Sequence, residues 1–283
     1  MEVGMSYKII LDSCGELTEQ MKESGVYANV PLTLYVDDYA IIDDETFKQK
    51  EFLDRVAKSV NCPKSSCPSP EAYKNACECE AERVYMVTLS SNLSGSYNSA
   101  ELGKSLYEEE KSDKKIYVFD SKGASVKQTL IGMKIAELEA AGKSFEEVVE
   151  ETEKYIYEQN EYFVLETLDT LRKNGRLSLV KALVAGALKI KPVMIGNKEG
   201  NIEQIDQARG INKAMLKMVD YIVNEVVDSE NKILGIAHCN CPERADMVKE
   251  ELLKRKQWKD IFIVDTAGVS SMYANDGGII ITV

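Results

Sequence analysis

Four serines and a glycine are concentrated in residues 88–97, with the sequence Thr-Leu-Ser-Ser-Asn-Leu-Ser-Gly-Ser-Tyr. The apolar run at 84–89 predicts a buried strand before them, and residues 98–110 predict a helix after them. A helix start presents unpaired backbone N–H groups and the positive end of the helix dipole, which together favour an anion. Ser94 and Ser96 can add hydroxyl donors, and the alternative role of either serine is to cap the helix. The pattern therefore indicates an anion-binding loop at the carboxyl end of a strand.

The same serines raise the question of nucleophilic catalysis. A serine nucleophile needs a base, usually histidine, and the chain contains a single histidine, His238. The Gly-x-Ser-x-Gly sequence of the hydrolase nucleophile elbow is absent. An acyl hydrolase or transferase that uses Ser94 with His238 is therefore the alternative hypothesis. As a residue at the end of a predicted strand, His238 is also explained as a polar cap of that end.

Two arginines and three aspartates are further candidates for ligand contact. Arg176 and Arg209 each lie in a predicted polar turn beside a glycine in an acidic chain, and a guanidinium can hold a carboxylate or phosphate with two hydrogen bonds. Each is explained equally well as a solvated surface residue. Asp12, Asp120 and Asp265 all follow predicted strands, where helix capping and turn formation are the commoner roles of aspartate.

Composition limits the classes of function. The chain has 283 residues, of which 44% are hydrophobic, so it can form one large or two modest domains with a substantial core. Its net charge of −12 argues against nucleic acid as a partner, because a phosphate backbone attracts basic surfaces. No apolar run approaches the ~18 residues of a membrane span.

Seven cysteines, an odd number, occur in a chain that opens without an apolar signal segment. We therefore expect reduced thiols and a cytoplasmic location. Two Cys-x-Cys pairs, Cys77 with Cys79 and Cys239 with Cys241, suggest zinc as an alternative. Their spacing is tighter than the usual Cys-x2-Cys, and about 160 residues separate the pairs, so we expect no metal.

Strand, turn and helix alternate through the N-terminal half, which predicts a mostly parallel sheet covered by helices. The pattern predicts one strand at 26–36, an acidic loop at 37–46 and a Pro- and Ser-rich break at 61–70. In the second half it predicts a buried Ala-rich helix at 179–188 and two strands near 191–195 and 202–205.

Five stretches, in order along almost the whole chain, resemble signature sequences of the DegV family, in its fatty-acid-binding (FakB-like) group. They are Asp-Ser-Cys-Gly-Glu-Leu at 12–17, Pro-Lys-Ser-Ser-Cys-Pro-Ser at 63–69, Ser-Ser-Asn-Leu-Ser-Gly-Ser-Tyr at 90–97, the basic Gly-Arg turn of 168–178 followed by Ile-Lys-Pro at 190–192, and the glycine-bearing segment 268–283.

The resemblance implies two α/β domains with an apolar tunnel for an acyl chain between them. Residues 1–160 would form the first domain, with a mostly parallel sheet and the serine loops, and residues 161–283 the second, with a mixed sheet. The ligand would be a long-chain fatty acid, its carboxylate held by hydroxyls at Ser65 and Ser94, with Ser66 and Ser96 close by. Apolar side chains such as Leu168, Met194 and Ile236 would shape the tunnel.

The resemblance also implies a carrier without catalytic activity of its own. Such a carrier hands its acid to a fatty acid kinase subunit, which makes the acyl phosphate used in phospholipid synthesis. The expected partners are therefore the fatty acid, a kinase subunit and, transiently, a membrane surface. We expect no cofactor, and we expect a monomer because no long apolar stripe is left over after the core is assigned.

Two positions depart from the family pattern. Cys67 replaces a glutamine, and Tyr273 replaces a histidine that helps to hold the carboxylate. A phenol can donate one hydrogen bond but carries no positive charge. We therefore expect the head group to be bound differently than by the family histidine, through Ser271, Tyr273 or Asn275. Arg176 and Arg209 are the candidates for contact with a partner or a phosphate.

Overall fold

A computed structural model describes residues 7–111, 113–177 and 189–283 of the chain. It confirms an α/β fold with a parallel sheet in the N-terminal part and a mixed sheet in the C-terminal part. The described strands are β1 (Tyr7–Asp12), β2 (Tyr27–Val30), β3 (Thr33–Val36), β4 (Tyr39–Ile42), β5 (Lys64–Ser66), β6 (Arg83–Thr88), β7 (Lys115–Asp120), β8 (Glu161–Val164), β9 (Ile190–Gly196), β10 (Ile202–Arg209), β11 (Ile233–His238), β12 (Asp260–Asp265) and β13 (Ile279–Thr282). The described α-helices are α1 (Glu19–Glu23), α2 (Gln49–Lys58), α3 (Pro70–Ala76), α4 (Ser96–Glu110), α5 (Val126–Ala140), α6 (Phe145–Glu158), α7 (Asp169–Lys173), α8 (Ile211–Glu225), α9 (Pro242–Arg255) and α10 (Gly268–Ala274).

The parallel sheet has the strand order β2-β1-β6-β7 and carries an apolar core on each face. Ile9 and Leu11 pack on one face, and Ile10 and Met86 on the other, so these strands are apolar runs without polar alternation. Because the strands are parallel, the loops after β1, β6 and β7 lie at one edge of the sheet. That edge faces the C-terminal part of the chain.

The mixed sheet has the order β10-β9-β8-β13-β11-β12. One face packs under α8 and α9 in the largest apolar cluster, which includes Val164, Met218 and Ile236. The opposite face carries a second cluster, including Phe163 and Met194, and faces the N-terminal part. No described sheet takes strands from both sides of residues 160 and 161, and the division into domains 1–160 and 161–283 stays a prediction.

The third sheet, β4-β3-β5, corrects three expectations. The single strand predicted at 26–36 is two strands in different sheets, broken at Pro31, whose missing N–H cannot extend a ladder. The predicted loop at 37–46 contains β4, which returns from β3 through a two-residue turn with Asp37 at a positive φ. The predicted break at 61–70 contains β5, because Ser65 pairs with Leu34 across 31 positions of sequence.

The helix predicted at 179–188 lies outside the described residues. None of the helices that the structure describes is long and apolar enough to cross a membrane.

Candidate functional site

Asp12, at the end of β1, organises the loop that follows β6. Its carboxylate accepts hydrogen bonds from the Leu89 N–H at 2.8 Å and the Ser96 hydroxyl at 2.6 Å, and from Gln128 Nε2 and the Cys14 N–H. Burial raises the pKa of Asp12, and these four donors oppose the shift by stabilising the charged form. Asp12 is therefore a positioning residue, and its bond to the Cys14 N–H is the turn-forming role expected of aspartate, whereas helix α1 is capped by Thr18.

Two other side chains of the loop form hydrogen bonds with the C-terminal part of the chain. Ser90 donates its hydroxyl to the Gly200 carbonyl at 2.7 Å, and Asn92 donates to the Glu199 carbonyl at 2.7 Å. Both carbonyls belong to the turn between β9 and β10. Asp120, at the end of β7, accepts the Ser91 N–H at 3.1 Å. The loop is thus held from three sides before any ligand is considered.

Ser94 and Ser96 differ in what their hydroxyls can still do. Ser96 is fully buried, donates to Asp12 and lies against the Tyr73 hydroxyl at 2.5 Å. Ser94 is half-buried, and its Oγ accepts the Ser96 N–H at 3.2 Å, at the start of α4. Its hydroxyl proton makes no hydrogen bond within the described residues. Ser94 therefore satisfies one N–H at the helix start, and none of the described residues accepts its hydroxyl proton.

The β5 strand places Ser65 and Ser66 on opposite faces. Ser65 pairs directly with buried Leu34, so both side chains lie on the face that belongs to the apolar cluster containing Leu93 and Tyr273. Ser66 lies on the other face, where it is exposed and 3.5 Å from the Tyr35 hydroxyl. The next residue, Cys67, approaches Gly95, so the Ser65 and Ser94 segments are neighbours.

The Gly-Arg turn and helix α10 meet the serine loop. Arg176 donates through Nε to the Leu93 carbonyl at 3.1 Å, one residue before Ser94. Its guanidinium carbon lies 6.0 Å from the centre of the Tyr273 ring. Asn174 ties the same turn to the β5 segment by donating to the Pro63 carbonyl at 3.0 Å. Ser94, Ser65, Tyr273 and Arg176 are thus gathered in one region.

An apolar cavity of about 80 Å³ extends from this region between the two parts of the chain. Its lining is almost entirely apolar, and the polar exceptions include Arg176, Tyr273 and Glu161. Ligand pockets usually exceed ~300 Å³, so a long acyl chain fits only when lining side chains repack. Leu168 and Met194 belong to the cluster around the cavity, whereas Ile236 packs in the core on the far face of the mixed sheet, contrary to its predicted tunnel position.

Helix α10 carries Tyr273 and is held at its start by two carboxylates of the N-terminal part. Asp43 accepts the N–H groups of Gly268 and Val269, and Glu16 accepts the N–H of Ala267 at 3.3 Å. Burial raises the pKa of Asp43 to about 6 and that of Glu16 to about 7. Sequence reasoning missed both residues, because their partners lie more than 220 positions away.

The remaining predicted residues are either exposed or already hydrogen-bonded to other groups of the protein. Ser271 is fully buried and bonded to the Thr266 hydroxyl at 2.7 Å and the Thr266 carbonyl at 3.1 Å. Arg209 is the exposed last residue of strand β10, where a turn was expected. His238 is buried at the end of β11, with Nδ1 accepting the Cys241 N–H at 3.4 Å and lying 3.5 Å from Asp265. No described hydrogen bond joins His238 to Ser94.

The cysteine pairs are free thiols in the structure, and Cys77, Cys239 and Cys241 are buried. Among the described residues, no group of three or more His, Cys, Asp or Glu side chains is arranged to hold a metal ion. Burial raises the pKa of the Cys239 thiol and of Cys241, the latter to about 11, so both favour the protonated form.

Solved structures similar to this chain have the same fold throughout. A DegV family protein from Ruminococcus gnavus, whose structure was refined with vaccenic acid, is 55% identical, with a TM-score of 0.96 over 99% of this chain and 100% of that one. The Fatty Acid Kinase (Fak) B3 protein of Streptococcus pneumoniae, loaded with linoleic acid, is 32% identical, with a TM-score of 0.86 over 98% and 99% of the two chains.

Sequence comparison also relates this chain to DegV proteins. A DegV domain-containing protein of Streptococcus pneumoniae is 34% identical over 279 residues, which cover 98% of both chains. The sequence model of the DegV family, described as an uncharacterised protein family, matches residues 6–282. The match spans nearly all of the sequence and includes every loop of the site described above, so the chain belongs to the DegV family.

Proposed function

We propose that this chain binds one long-chain fatty acid, with the carboxylate at Ser94 and Ser65 and the acyl tail in the apolar cavity. The observation that carries the proposal is the hydroxyl of Ser94, which donates to none of the described residues and belongs to a loop held from three sides beside a mostly apolar cavity. A carboxylate is costly to bury unless several donors converge on it, and an acyl tail gains about 0.8 kcal/mol for each buried CH2. The fatty acids bound by the relatives are in keeping with this assignment.

The candidate donors of the proposed head-group site differ in whether they already make hydrogen bonds within the protein. The hydroxyls of Ser94 and Ser65 donate to none of the described residues, and Tyr273 offers a phenol in the place of the family histidine. Ser96 and Ser271 are already bonded inside the protein, and Ser66 faces solvent. We therefore assign the last three no direct contact with the carboxylate.

Arg176 gives this head-group region a positive charge beside the loop. It lies next to Ser94 through the Leu93 carbonyl, and the strand directions place Arg209 at the same end of the mixed sheet as the Gly-Arg turn. We propose that this end presents the bound acid to a fatty acid kinase subunit, as the name of the pneumococcal relative suggests. The chain would then act as a cytoplasmic monomer supplying acyl phosphate for phospholipid synthesis, with transient contact at the membrane surface and without catalysis of its own.

The alternative of a serine hydrolase gains no support from the described contacts. Ser94 accepts a hydrogen bond from Ser96, and His238 is engaged with Cys241 and Asp265. A nucleophile and its base are expected within hydrogen-bond reach of each other.

The decisive experiment is extraction of the purified protein into organic solvent, followed by mass spectrometry. About one fatty acid per chain is expected, and titration of delipidated protein with oleic acid should restore it. Adding a fatty acid kinase catalytic subunit, ATP and oleic acid should yield acyl phosphate, trapped by hydroxylamine as the hydroxamate, only when this chain is present. Absence of both co-purified and added fatty acid overturns the proposal, and hydrolysis of acyl esters by the chain alone supports the hydrolase instead.

A further inference from the structure

A second cleft, of about 1170 Å³, lies between the two parts of the chain and is separate from the acyl cavity, with which it shares no lining residue. Asp260 and Asp265, the first and last residues of β12, both line it, so the cleft follows the whole strand, about 20 Å in length. Charged and apolar residues alternate around it, whereas the acyl cavity is lined almost entirely by apolar ones. This lining argues against a second acyl chain.

The strand β12 is an edge strand whose outer backbone groups face this cleft. It pairs with β11 alone. Just after β12, Thr266 donates its N–H to the His238 carbonyl of β11 at 2.9 Å. Successive residues of a strand direct their backbone groups to opposite sides, so Val264 and Phe262 also bond toward β11. Ile263 lies between them and lines the cleft, so its N–H and C=O are directed outward.

The direction of Ile261 agrees with this alternation. It lies two positions before Ile263, and its N–H is accepted by the carboxylate of Asp260 at 2.8 Å. The outer groups of Ile263 have neither a neighbouring strand nor a side-chain partner among the described residues. A strand edge with such unpaired groups is a template for one further strand.

The walls of the cleft can receive the side chains of an added strand. Leu130 and Met133 of α5 and Met21 of α1 line it, and methionine adapts its shape to varied partners. A Cβ atom at Gly235 would lie 2.8 Å from the Phe262 ring and close to α5, so Phe262 lies on the α5 face of the sheet. Every second side chain of an added strand would lie on this same face.

One end of the cleft carries two lysines without an acidic partner. Lys232 and Lys259 line it where β12 begins, and neither forms an ion pair with a described residue. Two side-chain carboxylates at the same end are already engaged. Glu158 lies 3.9 Å from Lys154, and Asp260 accepts a backbone N–H. An occupant with carboxylates at this end would therefore meet complementary charge.

Gln159 lines the same end of the cleft and is 3% exposed. Neither its amide oxygen nor its amide nitrogen has a hydrogen-bond partner in the described part of the chain. The Tyr155 phenol is near enough for the amide to oppose the rise in the pKa of Tyr155, but the two groups form no hydrogen bond. Buried polar atoms are almost always paired, and an amide presents a donor and an acceptor, the complement of a peptide group.

We propose that this cleft binds an extended segment of a partner protein, which adds to β12 as a further strand. Ile263 supplies the backbone hydrogen bonds, apolar side chains at alternate positions of the segment pack against α5 and α1, and the Gln159 side chain turns to pair with a peptide group. Antiparallel pairing is the more stable arrangement. It places the carboxyl end of the segment beside Lys232 and Lys259, so the segment ends in acidic residues. This interaction goes beyond the proposed function and does not depend on it.

The test selects random seven-residue peptides, displayed on phage with free carboxyl ends, on the parent protein and on Ile263→Pro. Proline removes the outward N–H and leaves the bonds to β11 in place, and edge strands tolerate it for this reason. The parent should enrich peptides with alternating apolar residues and a terminal Asp or Glu, and Ile263→Pro should enrich none of them. Fluorescence anisotropy then measures the affinity of the most enriched peptide.

Four further proteins make the result specific. Ile263→Val keeps the N–H and should bind the peptide as the parent does. Gln159→Leu should bind it about tenfold more weakly, yet unfold at a higher urea concentration, because an unpaired buried amide has been removed. Lys232→Ala combined with Lys259→Ala should weaken binding, and more at low salt than at high salt. Lys213→Ala, at an exposed lysine of α8, is the control and should change nothing.

Methylation of alternate backbone nitrogens of the peptide tests strand addition without altering the protein, and it should abolish binding even if Ile263→Pro fails to fold. The inference is overturned if no peptide is enriched on the parent, or if the methylated peptide binds within threefold of the unmodified one. Displacement of the peptide by oleic acid also overturns it, because the two sites share no lining residue. Fatty-acid binding is measured separately and is unaffected by these outcomes.

Discussion

Asp43 and Gly268, 225 positions apart in sequence, are joined by a hydrogen bond of 2.6 Å from the Gly268 N–H to the Asp43 carboxylate. The second carboxylate oxygen accepts the Val269 N–H at 2.8 Å and the Ser13 hydroxyl at 2.9 Å. A side chain at Gly268 would collide with Asp43, so the contact requires glycine there. One carboxylate of the N-terminal part thus caps the helix that carries Tyr273.

Asp43→Asn should therefore loosen helix α10. The amide turns one NH2 group toward backbone donors, so one of the two N–H groups loses its acceptor. We expect the free energy of unfolding to fall by about 1.5–3 kcal/mol, the range for hydrogen bonds to charged groups. Urea titration measures this loss. Asp44→Asn, which alters only the two local hydrogen bonds from the Thr46 N–H and hydroxyl, is the matched control, and equal losses in the two variants would contradict the capping role.

Glu16 predicts a dependence of stability on pH. Its pKa is raised by burial from 4.5 to about 7, so the folded protein binds a proton that the unfolded chain has released between these values. Stability contributed by this group therefore falls as the pH rises through that window, by up to about 3 kcal/mol. Glu16→Gln should be less sensitive, so the parent should lose more stability than the variant between pH 5 and pH 8.

Burial also raises the pKa values of Asp43 and Glu161 into this range. The informative quantity is therefore the difference in free energy of unfolding between parent and variant at each pH. Glu23→Gln, an exposed change at the end of α1, is the control. A parent and a Glu16→Gln protein with parallel pH profiles would show that the Glu16 carboxyl is not desolvated.

The parts that sequence predicted well are those encoded locally. Residues 144–147 have the pattern of a capping box, and Ser144 and Glu147 form one at the start of α6. The alternation of strand, turn and helix in the first half predicted the parallel sheet. The glycine-serine loop predicted that a helix, α4, begins there. The serine motifs at 63–69 and 90–97 were recognised as belonging to one site only through the family resemblance.

Contacts between residues far apart in the chain could not be predicted from the sequence. Which of Ser94 and Ser96 has a hydroxyl that donates to no described residue depends on Asp12, which accepts a hydrogen bond from the Ser96 hydroxyl and none from Ser94. The strand β5 exists because Lys64–Ser66 pairs with a distant β3, which no local pattern in a Pro-rich stretch indicates. For Glu161, the one local signal of a buried carboxyl was an acidic residue at the start of an apolar strand. The face of the sheet on which its side chain lies could be assigned only from the strand register.

Arg176 should contribute through its geometry as well as its charge. Arg176→Lys keeps the positive charge but loses the Nε–H that donates to the Leu93 carbonyl. The serine loop should therefore lose one of the hydrogen bonds that hold it in place. We expect oleic acid to bind about three- to tenfold more weakly, equivalent to ~1 kcal/mol for one hydrogen bond. Arg172→Lys, at an exposed arginine of the preceding helix α7, should leave binding unchanged. Unchanged binding in both variants would limit Arg176 to partner contact.

Ser94→Ala tests the centre of the proposed site. The substitution removes the donor to the carboxylate and also the acceptor for the Ser96 N–H. The first loss should weaken binding of oleic acid about tenfold to a hundredfold, since hydrogen bonds to charged groups contribute about 1.5–3 kcal/mol. The second should lower the free energy of unfolding by about 1 kcal/mol. Calorimetric titration and thermal unfolding of one protein sample measure the two separately.

Ser66→Ala is the matched control for that measurement, because it makes the same chemical change on the solvent face of β5. Oleyl alcohol is the matched ligand, because it keeps the tail and lacks the charge. It should bind the parent protein more weakly than oleic acid and should be much less sensitive to Ser94→Ala. Ser94 would be only a helix cap if its alanine variant melted at a lower temperature while binding oleic acid as tightly as the parent and the Ser66→Ala protein do.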